Sequence, residues 1–372
     1  MFKDYKLELI TPEFNSNLMS LILDLEHLRK NSLTDINNIY FEQIKGLFHI
    51  LESVYSARIE GNRTTINDFI AGKIANKTNS EDNLKEIQSI ENAIKFINDN
   101  KDAPINRIFI SELHKITTNN LEKEGSETPG EYRKINVTIT KSTHTPPESI
   151  LVHEYMQELI DFINRDDPPQ YDLIKIALVH HRFVWIHPFD NGNGRTSRLL
   201  TYTMLLKYGF NINNLVNISA IFCLNRENYF KYLDLADSGK KENLIQWCEY
   251  VLTGLKEEME KIYKLSDAKY FSTILSVVFE RLFELGVINR EETNALCCIV
   301  KNKILFNLSN SLLQDRLKIT SRHATYLLSI LKKKNLIIPT DKKEYILNLQ
   351  DLEVSKNLIY VLKKDGLIPF KE

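Results

Sequence analysis

The sequence predicts a mainly α-helical fold, interrupted by one short β-hairpin and ended by a winged helix-turn-helix. Three observations lead to this prediction. Apolar residues recur at spacings of three and four along most of the chain, as at Phe48, Leu51 and Tyr55, which is typical of amphipathic helices. One short segment is rich in β-branched residues between turn signals. From about residue 289, short helical patterns are followed by two strand patterns.

Length and composition indicate an ordinary globular chain of more than one domain. The 372 residues carry a formal net charge of −1, which provides no general attraction to nucleic acid or to a membrane. The N-terminus is charged where a signal peptide needs an apolar run, and no uncharged apolar stretch reaches about 18 residues. We therefore expect a cytoplasmic protein that does not bind membranes.

The helical patterns and the loops between them divide the chain into four predicted segments. Polar stretches at residues 76–82 and 100–104 are typical of loops. The predicted segments are an N-terminal helical region at 1–103, a helical core at 104–255, a helical connector at 256–287 and a winged helix at 288–372.

The one clear strand signal in the core is the run from Val137 to Thr140. It follows the turn residues Pro129 and Gly130 and precedes a polar turn that ends at His144. β-branched residues between two turns are typical of a hairpin. We expect a short, exposed hairpin between helices.

The C-terminal region has the order of elements of a winged helix-turn-helix. Helical patterns cover 291–305, 310–317 and 321–334, and two short strands lie within 337–347. From Asp315 to Glu344 there are eight Lys or Arg and three acidic residues, an excess of positive charge that suits phosphates. Winged helices also serve as dimerisation and docking modules, so the sequence leaves open whether this one binds DNA or protein. It also leaves open whether the chain forms a homodimer.

A glycine-rich loop lies between two strong helical patterns, at 173–183 and 195–208. Gly209 follows the second pattern as a C-terminal cap. The run Gly192, Asn193, Gly194 therefore stands at a helix N-terminus. Unpaired backbone N–H groups and the positive end of the helix dipole attract anions there, and glycine lets a phosphate come close.

The charged residues beside this loop indicate a nucleotide site. Arg195 and Arg198 are three residues apart and share one face of the first helical turn. Cations at a helix N-terminus are unfavourable unless an anion accompanies them, and arginine binds phosphates in a bidentate manner. His187 lies five residues before the loop glycine, and an ordinary histidine pKa of about 6.5 suits a general base.

The run from His187 to Arg198 resembles the signature of the Fic family, His-x-Phe-x-Asp/Glu-Gly-Asn-Gly-Arg-x-x-Arg. The resemblance implies a helical Fic core and an enzyme that transfers AMP from ATP to a Ser, Thr or Tyr hydroxyl of a protein, with release of pyrophosphate. It implies His187 as the base, and Gly192 to Gly194 with both arginines as the binding site for the ATP phosphates. Toxin-type Fic-like kinases carry lysine at the position of Gly194, so this glycine favours AMP transfer.

The same resemblance implies an acidic ligand for Mg²⁺, and here the sequence departs from the signature. The metal position is occupied by Asn191, while Asp190 lies one place earlier. Asparagine offers a carbonyl oxygen to a hard cation but no negative charge. We expect Asn191 to contact Mg²⁺ weakly and the ATP phosphates to hold most of it.

Two further segments resemble parts of the family. The residues before the signature, 135–145, correspond to a flap that clamps the target protein by strand addition. The helix from Asn225 to Leu233 resembles one that closes over the adenine, which makes Tyr229 a candidate nucleotide contact. Because Tyr229, Tyr232 and Leu233 form one stripe, an aromatic face packed in the core is the alternative.

An upstream segment, from Ser56 to Asn62, resembles the family's inhibitory-helix motif, Ser/Thr-x-x-x-Glu-Gly/Asn. The resemblance implies that Glu60 pairs with Arg198 and excludes the γ-phosphate of ATP. A carboxylate suits this role because an arginine that binds phosphate also binds carboxylate.

Three other interpretations compete with an inhibited AMP transferase. His180, His181 and His187 could suggest a metal hydrolase, but their spacing is not that of a metal site. A DNA-binding regulator could use the core as a nucleotide sensor, although a sensor has no need of the base His187. The third is an enzyme that removes AMP, with Glu60 orienting a water molecule.

Overall fold

The computed structural model describes residues 4–30, 38–139, 142–301, 307–340 and 344–368. The chain forms two compact units, one of Met1–Asn31 and Phe48–Glu260, the other of Ser32–Leu47 and Lys261–Glu372. Most of the predicted connector and part of the predicted N-terminal region thus belong to the second unit. The prediction of a mainly α fold is confirmed.

The first unit is helical throughout its regular structure in the described residues. Short 3₁₀ turns lie at Ser149–Leu151, Pro169–Tyr171 and Ile212–Asn214. Its helices are α1 (Asn17–Lys30), α2 (Asn38–Glu60, in this unit from Phe48), α3 (Ile66–Ile74), α4 (Asp82–Asp99), α5 (Arg107–Thr118), α6 (Val152–Asn164), α7 (Asp172–Ile186), α8 (Asn193–Lys207), α9 (Ile218–Leu224), α10 (Arg226–Ala236) and α11 (Lys241–Ser266, in this unit to Glu260).

Helices α7 and α8 pack against each other at the centre of this unit, with α5 against α8 and α6 against α7. Every residue of α7 except Val184 is buried, including five polar or charged ones, so this helix lies in the interior of the unit. Helix α8 ends at Lys207, and Gly209 follows with a left-handed φ of 75°. This confirms the predicted helix and its cap, and it places the glycine-rich loop between two buried helices.

The predicted hairpin is wrong as a regular element. No strand is assigned in residues 135–139 or 142–145, and residues 140 and 141 lie outside the described residues. A strand needs a neighbour that accepts and donates its backbone hydrogen bonds, and this segment has no such neighbour in the described part of the first unit. Residues 137–139 instead lie in a loop.

The second unit contains the predicted short helices and the two strands. Its regular elements are α12 (Ala268–Glu284), α13 (Arg290–Lys301), α14 (Asn310–Leu317), α15 (Ser321–Lys333), β1 (Ile337–Pro339), β2 (Tyr345–Leu347) and α16 (Leu352–Lys364). The strands are antiparallel, with Ile338 opposite Ile346, and Leu308 forms a bridge with Tyr345. Residues 302–306 and 341–343, in the predicted first helix and the predicted turn between the strands, lie outside the described residues.

Two contacts explain why residues before Phe48 belong to the second unit. The hydroxyl of Tyr40 accepts a hydrogen bond from Leu347 N across 3.0 Å, and its ring packs against Phe271. The side chain of Gln43 donates to Leu347 O and accepts from Leu349 N. The predicted connector also belongs here, because α12 packs against α13 and α16.

None of the described helices combines the length and the apolar character needed to cross a membrane.

Candidate functional site

The loop between α7 and α8 is built on two left-handed residues. Helix α7 ends at Ile186 and is capped by His187, with φ 52° and ψ 59°, and α8 begins after Gly192, with φ 71°. A Cβ on Gly192 would lie 2.4 Å from Cγ2 of Thr118. Glycine is therefore required here both by the backbone conformation and by the close neighbour.

The side chain of Asn193 closes this loop on itself. Its Oδ1 accepts a hydrogen bond from Phe189 N and its Nδ2 donates to Phe189 O, both across 2.9 Å. Asn193 is buried, and its amide thus holds the loop shape, which in turn presents the backbone at the start of α8. The predicted contact of Asn193 with phosphates would pass through its backbone N–H.

A buried histidine, His114 on α5, packs against the loop and hydrogen-bonds to it. Its ring stacks on Phe189 with centroids 3.7 Å apart. Gly130 N donates to its Nδ1 across 2.8 Å, so Nε2 carries the proton and donates to Asn191 O across 3.0 Å. Burial lowers the pKa of His114 to about 4, so the ring is neutral. The sequence held no signal for this residue, since a lone histidine on a helix has no distinctive spacing.

His187 stands at the edge of the loop with one ring nitrogen available. Its Nδ1 lies 3.4 Å from Val184 O, which assigns the proton to Nδ1 and leaves Nε2 as an acceptor. Desolvation lowers the pKa of His187 to about 4, and the nearby charge of Arg133 acts in the same direction. The ring is therefore neutral at pH 7, with Nε2 able to accept a proton.

Arg133 anchors the backbone of this histidine. Its Nε donates to His187 O across 2.8 Å, and its other guanidinium nitrogens donate to Ile135 O and Pro147 O. The side chain is buried. Sequence analysis missed this role, since it singled out only the turn residues Pro129 and Gly130 before this arginine.

The structure brings Glu60 and Arg198 together. Arg198 Nη2 donates to Glu60 Oε1 across 2.6 Å and to Ser56 O across 3.0 Å, while Arg198 Nε donates to Ser56 Oγ across 2.9 Å. The Arg198 side chain is 1% exposed and that of Glu60 is 28% exposed. Arg198 is thus held by one charged and two neutral acceptors of α2, and the side chain of Tyr229 on α10 also interacts with it.

The Glu60 carboxylate lies directly on the first turn of α8. A Cβ on Gly194 would be 2.3 Å from Glu60 Oε1 and 3.1 Å from a terminal nitrogen of Arg198. Burial would raise the pKa of Glu60, but the charges of Arg198 and Arg195 outweigh it, so this pKa lies below its usual value. An ionised carboxylate therefore occupies the place where the helix N-terminus attracts anions.

Arg195, unlike Arg198, is tied to the helical core. Its Nη2 donates to Glu124 O across 2.6 Å, and the carboxylates of Glu86 and Glu124 lie 3.4 and 3.7 Å from its guanidinium nitrogens. Glu86 also accepts from Asn62 Nδ2 across 2.8 Å. Arg195 therefore already has counter-ions, and its predicted contact with phosphates stays a prediction.

The predicted metal position, Asn191, offers one neutral oxygen. The Oδ1 of Asn191 accepts from Gly192 N across 2.7 Å, and its Nδ2 donates to Gly125 O across 3.0 Å. The carboxylate of Asp190 accepts from Ser126 Oγ and Glu127 N, which fastens the loop before residue 131. Over the described ranges, no group of three His, Cys, Asp or Glu side chains could hold a metal ion.

Tyr229 lies in the aromatic core, as the alternative interpretation proposed. It is 2% exposed, its ring stacks on Phe222 with centroids 4.4 Å apart, and its hydroxyl lies 2.9 Å from His180 Nε2. The contact of Tyr229 with a nucleotide stays a prediction. His181 lies 2.9 Å from Asp237, so it and His180 both have structural partners.

Comparison with known proteins identifies relatives of this site. Residues 104–205 match the model of the Fic/DOC family. The chain is 29% identical over 208 residues to the protein adenylyltransferase Fic of Nematostella vectensis, covering 55% of this chain and 45% of that protein. It is 31% identical over 192 residues to the protein of the same name from Drosophila willistoni, covering 50% and 36%. The chain thus spans less than half the length of these relatives.

Solved structures share the fold. A Fic family protein from Desulfovibrio desulfuricans superposes with a TM-score of 0.57 at 18% identity, covering 92% of this chain and 98% of that one. A Fic domain-containing signalling protein from Bacteroides thetaiotaomicron gives a TM-score of 0.50 at 19% identity, covering 68% and 97%.

Proposed function

We propose that this chain, a Fic-family protein through residues 104–205, transfers AMP from ATP to a Ser, Thr or Tyr hydroxyl of a target protein and that Glu60 inhibits the transfer. One observation carries the proposal: the ionised carboxylate of Glu60 lies on the N-terminus of α8 and pairs with Arg198. A carboxylate held there is an internal mimic of a phosphate. The names of the relatives support the activity.

The anion site would bind the ATP phosphates once Glu60 leaves it. The backbone N–H groups at the start of α8 and the guanidinium of Arg198 are the donors for a phosphate oxygen. Ser56 continues to hold Arg198 through two hydrogen bonds when Glu60 is displaced. A third phosphate group and the Glu60 carboxylate compete for the same donors, so bound ATP and inhibition exclude each other.

The proposed reaction is an in-line displacement at the α-phosphorus. The target oxygen forms a bond to phosphorus while the bond from phosphorus to the bridging oxygen of the β-phosphate breaks, and pyrophosphate leaves. Neutral His187 accepts the hydroxyl proton at Nε2, because its Nδ1 faces Val184 O. Arg133 keeps His187 in place through its backbone carbonyl. Positioning and charge stabilisation by α8 provide the rest of the catalysis.

Magnesium fits this site only in part, because the loop offers it one neutral oxygen. Mg²⁺, when bound with ATP, would offset the negative charge of the phosphates, with Asn191 Oδ1 as its protein contact. The Asp190 carboxylate is already engaged with Ser126 and Glu127, so it holds the loop in place of a metal.

The target protein is proposed to bind at residues 135–145. The described part of this segment belongs to no sheet, so its backbone groups can pair with an extended peptide. Ile135 is exposed there and offers an apolar contact. A cytoplasmic location is also part of this proposal.

Labelling with two forms of ATP tests the proposal. Wild type, Glu60→Gly and His187→Ala are incubated with Mg²⁺, cell lysate and ATP labelled at the α- or the γ-phosphate. We expect Glu60→Gly to label proteins from α-labelled ATP but not from γ-labelled ATP, wild type to label weakly, and His187→Ala not at all. Label from γ-labelled ATP would indicate phosphate transfer and contradict the proposal.

The rival activities give different results in the same assay. An enzyme that removes AMP would strip label from proteins first modified by Glu60→Gly when wild type is added. A nucleotide sensor would bind ATP, measured by calorimetry, without labelling any protein in either variant.

A further inference from the structure

We propose that α13, α14, α15 and the strands β1 and β2 form a winged helix-turn-helix that binds duplex DNA, with α15 in the major groove. This inference concerns the second unit alone and does not depend on AMP transfer. The order of elements is α13, the bridge residue Leu308, α14, α15, β1 and β2, and Leu308 pairs with Tyr345 at the edge of β2.

Helices α14 and α15 are fixed against each other as a helix-turn-helix requires. Lys318 ends α14 in a left-handed conformation with φ 56°, which turns the chain toward α15. Asn310, at the start of α14, donates from Nδ2 to Ser321 O across 3.0 Å and to Thr325 Oγ1 across 2.8 Å. Thr320 caps α15 by accepting from His323 N. The first turn of α15 is thus held by a polar clamp.

The two faces of α15 differ sharply in character. Its buried face is apolar and packs into the second unit. The side chains of the opposite face are exposed. They lie three, four, seven and eleven residues after Arg322, so they form one stripe along the helix. The buried residues are Ala324, Leu327, Leu328 and Leu331, and the exposed stripe consists of Arg322, Thr325, Tyr326, Ser329 and Lys333.

The exposed stripe, defined by these five residues, has the chemistry of a DNA-reading surface. Arginine and lysine bind phosphates and guanine edges, and the hydroxyl groups of Tyr326 and Ser329 can donate to and accept from bases or phosphates. The hydroxyl of Thr325 is already bonded to Asn310 and Ser321. A helix of this kind fits the width of the major groove, and its N-terminal half contacts the bases.

The charge of this region favours the same partner. Residues 307–340 contain six Lys or Arg and one acidic residue, Asp315. Arg316 and Lys318 are exposed beside the stripe, and the pair of Lys318 with Asp315 is too exposed to cancel much charge. Glu291, 65% exposed and 3.5 Å from His323, is a nearby acidic group that reduces the positive potential at one side of α15.

DNA suits this surface better than a protein partner does. A protein-docking face is expected to present a contiguous apolar area. The stripe contains no aliphatic side chain, and its one large ring, Tyr326, carries a hydroxyl and is 59% exposed. Positive charge beside hydroxyl groups is complementary to phosphates and base edges.

The test measures binding of the full chain to a fluorescein-labelled 30-base-pair duplex of random sequence by anisotropy, in about 50 to 200 mM NaCl. We expect wild type to bind with a dissociation constant on the order of 1–100 µM near physiological salt. Arg322→Ala/Lys333→Ala should bind roughly tenfold more weakly and lower the slope of log affinity against log salt by about 1.8. Ser329→Glu should also weaken binding.

A matched control removes two exposed lysines from the first unit. Lys95→Ala/Lys101→Ala changes the net charge equally and should bind the duplex as wild type does. Circular dichroism and the melting temperature establish that all variants are folded. The proposal is overturned if wild type does not bind at the lowest salt or if both double variants lose binding equally. It is also overturned if Arg322→Ala/Lys333→Ala binds DNA as wild type does and alters only the particle mass measured by light scattering. The stripe is then a protein interface.

Discussion

Replacing Glu60 by glutamine removes the charge that is proposed to hold the site closed, while it keeps the length of the side chain and one oxygen acceptor. Arg198 Nη2 donates to Glu60 Oε1 across 2.6 Å inside a site where Arg198 is buried. A hydrogen bond between charged groups contributes about 1.5–3 kcal/mol. Because the Glu60 side chain is 28% exposed, solvent screening places the effect in the lower half of that range.

This free energy converts directly into an expected change in ATP binding. About 1.5–2 kcal/mol corresponds to roughly a tenfold to thirtyfold shift between the closed site and the site open to ATP. We therefore expect Glu60→Gln to bind ATP about tenfold to thirtyfold more tightly than wild type and to transfer AMP faster by a similar factor. Glu60→Gly should exceed it, because it also clears the space above Gly194.

The assay combines calorimetry of ATP binding with the rate of labelling from α-labelled ATP. Glu154→Gln is the control, since it makes the same charge change at an exposed position of α6. If Glu60→Gln folds normally yet binds and transfers as wild type does, the Glu60–Arg198 pair does not compete with ATP and this reasoning is refuted.

Two further predictions address the base and the metal. The rate of transfer by Glu60→Gly should not respond to the titration of His187 between about pH 6 and 8, and it should fall below about pH 5. Protonation of a group with a pKa of about 4 removes the proton acceptor. A midpoint near the ordinary histidine value in the pH–rate profile would mean that the ring is not desolvated. In the Glu60→Gly background, Asn191→Asp should tighten the binding of Mn²⁺ with a non-hydrolysable ATP analogue several-fold, because it adds a negative charge where the loop has a neutral oxygen. Calorimetry measures the affinity of each variant for Mn²⁺ with the analogue, and Asn191→Ala should weaken this binding. Equal affinities of the variants would show that residue 191 does not contact the metal.

The local features of the site could be predicted from the sequence because they depend on neighbours along the chain. The helix N-terminus at Gly192 and the cap at Gly209 follow from glycine spacing and from the apolar pattern on either side. The helices and strands of the second unit likewise follow from short-range patterns, and they lie at nearly the predicted positions.

The contact between Glu60 and Arg198 could be predicted only through the resemblance of two motifs to one family. These residues are 138 positions apart, and no local pattern relates them. The sequence also could not reveal that Ser56 provides two more hydrogen bonds to the same arginine.

The predicted hairpin shows the limit of strand propensity. The residues from Val137 to Thr140 favour an extended backbone, but a strand exists only where a second strand pairs with it. The sequence could indicate only the strand propensity of this segment, whereas the presence of a partner depends on the packing of the whole unit.

By itself, the sequence determined the helical class and the glycine loop at the start of α8, and it predicted His187 as the base, because each depends on residues close together in the chain. Only the tertiary structure decided that Arg195 is neutralised by Glu86 and Glu124, and that Arg133 fixes the backbone of His187. It also decided the desolvation that keeps this histidine neutral. The physical reason is that burial and counter-ions come from segments distant in sequence, and these alone set the charge and the pKa at a site.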